Sequence, residues 1–534
     1  MLIGEIEDQV VLLVWAQISS PYFELTNNFI SNYQPYKDIF FGMLHPFMTN
    51  QPITWFFFST LMTLFGLSFY NIFIFLTLLM NLAVSYLYFK RFKYGIVYSV
   101  IFSFSSYFWI QVGRHVVEQQ LWIFPLYMII LTTSKFSNVK KSLLSGFYIA
   151  MTTLISNYYG YFLLLFSAVY YFSEILITYA YSRKVNLRMA GVLIGTYTTA
   201  FILIVLALYP YIRENFIIKG ERDSAVSMRL TRPYEDFFTF SSRPWYLILP
   251  PIKNPIFGNL TSNVIEKLRN TGYFLYDDYF PAEHSGNFIG NTIIVGSALL
   301  WIISAKKFTK DESIKIYTEL TTLILVFLLM MPPFFTISGF EIYTPGYLLY
   351  KLFPMFRTTA RMGIIVIFLS ISIFARLIQK TYDTQPELSF IKKHFKSLLF
   401  TVMIVTLAET YIPVEINKID KAPEVYTYLK QNSDEGAKFA VYPLDQSDQA
   451  FFWLPEHERL LINPILYFTE DFDSESFTES LPSPEGLQAL SDIGGSYLIV
   501  YKSAPENDVE FFNSRSEVML VTEFEDTLLF EVQK

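Results

Sequence analysis

The 534-residue sequence contains no cysteine. That excludes disulfides, thiolate metal sites, cysteine nucleophiles and thiol redox chemistry. Histidine is nearly as scarce: His45, His115, His284, His394 and His457 are scattered, and no HExxH or comparable ligand spacing supports a structural zinc site. Charge is sparse too. Asp, Glu, Lys and Arg form 16% of the chain, against roughly 25% in soluble globular proteins, too few to cover a water-facing surface. Basic charge is in deficit, with a net charge of −7 and a pI near 5.5. Nucleic acid is thereby disfavoured as a partner, because phosphate binding needs a basic surface. No internal repeat, low-complexity tract or signal peptide with a cleavage site is visible in these residues.

Apolar residues fill the chain instead. They reach 52%, aromatics reach 19% with 54 Phe and 38 Tyr, and the mean hydropathy is +0.35. This composition describes an α-helical polytopic protein of the cell membrane, with the lipid bilayer as its first partner. A crossing helix needs about 20 apolar residues. Candidate spans lie near 52–67, 70–89, 94–110, 119–134, 142–156, 161–181, 189–211, 287–304, 316–335, 360–379 and 396–412. Basic clusters at Lys90/Arg91/Lys93, Lys135/Lys140/Lys141, Arg183/Lys184/Arg188, Lys306/Lys307/Lys310 and Lys380/Lys392/Lys393/Lys396 fall on every second loop counted from span 70–89. Short basic loops face the cytoplasm, so one face carries them all. The stretch 52–67 is marginal in length and bracketed by Pro52 and Gly66; it reads as a helix in the outer interface. About ten transmembrane helices remain, with both chain ends outside. An additional helix ahead of Met1 is expected, to carry the acidic opening segment across.

Three regions follow from this count. Residues 1–69 form an outer segment with an acidic motif and the interfacial helix. Residues 70–412 form the transmembrane domain, with a long extracytoplasmic loop at 212–286. Residues 413–534 read as a small extracytoplasmic α/β domain. Within it, 437–444 and 495–502 read as buried strands, 517–532 as a hairpin turning near Glu525–Asp526, and 423–431 and 484–493 as helices.

Several outward-facing clusters can carry chemistry. Glu5, Glu7 and Asp8 stand before the first apolar run. A carboxylate there can act as general base, and Asp8 with Glu5 can hold Mg²⁺ or Mn²⁺ to neutralise a phosphate leaving group; the blander reading is a solvated helix start favoured by the dipole. Arg114, His115 and Glu118 sit in one outer turn, where interface anchoring competes with function. Arg357 and Arg361 in FPMFRTTARMG break the inner-loop trend and suit bidentate contact with a phosphate; the alternative is a nearby acid such as Glu341. Glu283 and His284 end the long loop. Tyr158 and Tyr159 cap another outer turn, where aromatic residues are ordinarily anchors.

The order of these pieces resembles the bacterial multi-spanning membrane proteins of the GT-C glycosyltransferase-like superfamily, including YfhO-like proteins and lipid-linked-sugar transferases. GEIEDQVVLLVW stands in place of their outer acidic motif. HPF, PITWFFFSTLMTLFG, GRHVVEQQLWIFPL, SNYYGYF, EHSGNFIG and FRTTARMG then follow in the family's order, ending with VYPL and INPILYF. The resemblance implies a GT-C-like fold and a glycosyltransferase. Such an enzyme moves a sugar from a polyprenyl-phosphate-linked donor to a cell-envelope glycan or lipid acceptor on the outer face. It places Glu5 at the catalytic acid's position, with Asp8 as the second acid, and Glu for the usual Asp leaves open which is the base. Glu7, Arg114, His115, Glu118, Tyr158, Tyr159, Glu283, His284, Arg357 and Arg361 would line the substrate site. A transporter or flippase for lipid-linked glycans is the competing reading and would need ionisable groups at mid-membrane depth. A non-catalytic assembly factor for such glycans is the third.

Overall fold

The computed structural model describes residues 2–3, 51–183, 187–213, 232–269, 281–337, 340–384, 389–417, 421–434, 436–463 and 474–533. The chain divides into two compact units. One comprises Ile72–Ile218 and Val226–Glu415; the other comprises Met1–Asn71, Lys219–Ala225 and Ile416–Lys534.

The first unit is helical, as long apolar runs dictate: in lipid, each backbone N–H and C=O must find its partner within the segment. Among the described residues seven helices are long and apolar enough to cross a bilayer: Phe69–Phe89, Gly95–Val112, Asn157–Ser182, Arg188–Ala207, Ser285–Lys307, Lys310–Met330 and Thr359–Thr384. The protein is an α-helical polytopic membrane protein. Two further helices, Asn138–Ile155 and Ser389–Thr410, are of spanning length but carry lysines in their first half. Polar caps fix the helix starts. Ser156 accepts from Tyr159 N at 3.4 Å, and Thr309 with Glu312 forms a reciprocal capping box. The best-buried helix is Gly363–Thr384, in which fifteen residues face protein rather than solvent or lipid.

The predicted span 119–134 takes a different form. Its helix covers only Ile123–Thr132, ten residues, too short to cross unaided. Residues 115–122 form a buried non-helical turn instead. Asn81, fully buried within Phe69–Phe89, secures that turn: its Nδ2 donates to Gln119 O at 2.9 Å and its Oδ1 accepts from Trp122 N at 2.9 Å. Irregular backbone inside a membrane unit survives only when protein groups satisfy it, and Asn81 does so here.

In the second unit, the helix Pro52–Phe65 has 14 residues, about 21 Å at 1.5 Å per residue, short of the roughly 30 Å hydrocarbon layer. The C-terminal part builds a five-stranded sheet in the order Leu460–Leu461, Lys438–Tyr442, Tyr497–Tyr501, Thr527–Val532, Val518–Glu523. The first three strands run parallel; the last two form an antiparallel hairpin. Its turn closes through Phe524 N donating to Thr527 O at 2.8 Å. Helices Glu424–Asn432, Pro484–Asp492 and Glu506–Asn513 accompany the sheet. Leu487, Leu490, Leu498, Val500, Phe512 and Phe530 meet in a core on one of its faces.

Candidate active site

Four chain segments meet around Arg361. The helix Ser106–Arg114 ends at His115, whose N–H caps the last turn through Gln111 O. Ser106 Oγ donates to Phe288 O at 2.8 Å, tying that helix to the turn that follows Glu283. Asn287 Nδ2 holds Glu283 O at 2.8 Å, and Ala360 N donates to Phe240 O, fixing the start of the Arg361 helix. Gly363 is required at this approach, because a Cβ there would lie 1.7 Å from Asn287 Oδ1.

Glu283 clamps Arg361 in a fork. Arg361 Nε donates to Oε2 at 3.0 Å, and its terminal nitrogen donates to Oε1 at 2.7 Å. The same terminal nitrogen lies 2.7 Å from His115 Nε2. A guanidinium only donates, so Nε2 is the acceptor and the His115 ring carries its proton on Nδ1. Glu118 Oε1 stands 3.8 Å from the other terminal nitrogen. The Tyr158 ring covers the guanidinium at 5.0 Å, and Tyr159 donates its hydroxyl to Glu118 O. Burial opposes charge on the Glu283 carboxyl, but Arg361 outweighs it and holds the group far below the usual carboxylate range. The cluster therefore combines two carboxylates, one guanidinium and one imidazole, nearly all desolvated.

Of the residues singled out from sequence, His115, Glu118, Tyr158, Tyr159, Glu283 and Arg361 come together. The others go elsewhere. Arg357 pairs with Asp236 at 2.6 Å, not with Glu341, and lies over the Phe240 ring at 4.6 Å. His284 is fully buried and stacks on Tyr246 with centroids 4.3 Å apart; burial, with Arg243 nearby, pushes its pKa down to about 3. Arg114 is half-buried in the last turn of its helix. Glu5, Glu7 and Asp8, including the expected Mg²⁺ or Mn²⁺ ligands, lie outside the described residues. Among the described residues no group of three acidic or histidine side chains is placed to hold a metal ion; in this cluster the guanidinium takes the central place. Sequence reasoning missed Asn81 and Gln119. Gln119 is 0% exposed, and neither end of its amide has a hydrogen-bond partner among the described residues. Gln119 adjoins Glu118 in the chain, but a lone amide gives no sequence signal.

No family model matches the sequence, and no curated protein matches it significantly. Solved structures do. The arabinofuranosyltransferase AftD from mycobacteria aligns with 91% of this chain and 36% of its own, at 12% identity and a TM-score of 0.53. The fold is GT-C-like. The chain spans about a third of the length of that arabinofuranosyltransferase. ArnT from Cupriavidus metallidurans, solved with undecaprenyl phosphate bound, aligns with 99% of this chain and 94% of its own, at 10% identity and a TM-score of 0.37. At these identities the likeness concerns fold, and the GT-C-like frame leaves the chemistry to the residues.

Proposed function

We propose that the protein is a membrane glycosyltransferase that takes a sugar from a polyprenyl-phosphate-linked donor and passes it to a cell-envelope glycan or lipid on the outer face. The observation that carries this reading is a desolvated Glu118–His115–Glu283–Arg361 cluster held at one end of a GT-C-like helical unit. The resemblance to YfhO-like and lipid-linked-sugar transferase relatives, read from motif order, supports it.

Roles follow from the charges. Asp8 or Glu5 is the base that deprotonates the acceptor hydroxyl, and either can hold a divalent cation. Arg361 is locked by Glu283 and serves as a fixed positive wall rather than a free phosphate clamp. Arg357, half-exposed and held by Asp236 and the face of Phe240, is the better candidate to meet the lipid phosphate. The C-terminal sheet domain lies outside the cell and takes part in acceptor binding. The Glu319–Arg376 pair is the buried ionisable group a glycan transporter would need. The two groups satisfy each other at 2.6 Å, with Ser372 as a further partner.

The test is to reconstitute the purified protein with a panel of polyprenyl-phosphate sugars and measure transfer for D8N, E5Q and wild type. Loss of turnover in one acid variant, with insertion and folding intact, identifies the base. Full transfer by both would remove the proposed base, and movement of glycolipid across vesicles without transfer would establish the transporter.

A further inference from the structure

The helical unit has a second charged site at its other end. A cavity of about 630 Å³ is lined by Arg91, Lys141, Arg188, Lys315 and Arg376, with Glu174 and Glu319 as its carboxylates. The basic residues lie on the lysine-rich side: Arg91 just after Phe69–Phe89, Lys141, Arg188 and Lys315 near the starts of Asn138–Ile155, Leu187–Ala207 and Lys310–Met330, and Arg376 in the second half of Gly363–Thr384, while Glu174 and Glu319 lie deeper within Asn157–Ser182 and Lys310–Met330. Arg361 stands fifteen positions before Arg376, so about 22 Å of helix separates the two sites. The cavity is therefore distinct from the proposed transfer site.

Its charge is unbalanced. Arg376 is satisfied on the floor by Glu319, at 2.6 and 2.9 Å, and Tyr88 extends this network through Ser372. Lys141 donates to Leu131 O at 2.8 Å. Arg91, Arg188 and Lys315 are exposed at the rim, and among the described residues Glu174 is the one further carboxylate in the lining. The guanidinium of Arg91 lies 3.8 Å from the Tyr88 ring centroid, which orients the fork while leaving its edge for a ligand. A pocket of this volume with basic donors in its lining and surplus positive charge among the described residues suits a phosphate. It opens on the side to which short basic loops belong, where the leaflet carries anionic lipids.

We propose that this cavity binds the phosphate of an anionic ligand, drawn from a lipid headgroup in that leaflet or from a soluble phosphoester. The full chain in detergent would be titrated with dihexanoyl phosphatidic acid, dihexanoyl phosphatidylcholine and inorganic phosphate while Tm is followed. Phosphatidic acid should raise Tm and phosphatidylcholine should not. The R91Q/K315Q variant should bind roughly tenfold more weakly or worse, since it loses two charge-assisted contacts. Each single variant should shift in the same direction, so the test does not depend on the double variant folding. K306Q, an exposed lysine outside the cavity, should behave as wild type. A shift from inorganic phosphate equal to that from phosphatidic acid supports the site and assigns it to a soluble ligand. Wild-type affinity in R91Q/K315Q, or an equal response to phosphatidylcholine, overturns the proposal. Neither readout involves sugar transfer, so failure here is separable from failure of the proposed activity.

Discussion

Arg361 shows how one buried cation can organise a site. Glu283 engages its Nε and one terminal nitrogen, His115 shares that terminal nitrogen, and the Tyr158 ring covers it. Removing one partner of such a pair leaves an uncompensated charge. Glu283→Gln should therefore cost about 3–5 kcal/mol, seen as a lower Tm of the full chain. A Tm unchanged within a degree would show that the pair is not desolvated in solution. A second residue-scale prediction concerns His457, fully buried in the sheet domain. Its Nδ1 accepts from Arg459 N at 3.0 Å and its Nε2 donates to Ala450 O at 2.9 Å, so the ring is neutral. Burial lowers its pKa from 6.5 to about 4. A depressed histidine pKa means the stability it contributes is complete above pH 6.5 and is lost as pH falls toward 4, about 3 kcal/mol in all. The pH dependence of melting between these values should flatten in H457Q. Neither pairing was legible in the sequence: His115 and Arg361 are 246 positions apart, and only folding decides which acid meets which base.

At the scale of elements, the turn 115–122 and the glycine that opens Gly363–Thr384 carry the geometry. Gly363→Ala would place a methyl against Asn287 Oδ1 and force that side chain off Glu283 O, costing about 1–3 kcal/mol. Asn81→Leu would orphan Trp122 N and leave Gln119 O with Leu121 N as its remaining donor inside the membrane unit; it should abolish sugar transfer before it abolishes folding, which circular dichroism alongside the assay would separate. The elements themselves were largely legible. Apolar runs of spanning length became helices, and the hairpin turned between Glu523 and Thr527, where acidic residues interrupt two apolar strands. The span expected at 119–134 was not legible as a turn. Its apolar run is genuine, but Asn81, some forty positions earlier, offers its backbone hydrogen bonds that a helix would otherwise supply.

For the whole molecule, the absence of cysteine makes topology directly testable. Single variants Lys351→Cys and Lys306→Cys, both at exposed positions, should react with an impermeant thiol reagent from outside and from the cytoplasm respectively. Labelling of both from one side would refute the orientation on which the transfer proposal rests. The sequence by itself determined that the chain lives in a membrane, where most of its long apolar helices fall and which loops are basic. Hydrophobic length and positive charge are local quantities, each summed over a short window. Tertiary structure alone decided that Arg361 locks onto Glu283, that Arg357 pairs with Asp236 and that scattered basic residues line one cavity. Those outcomes depend on which helix ends meet in space, a relation no short window of sequence contains.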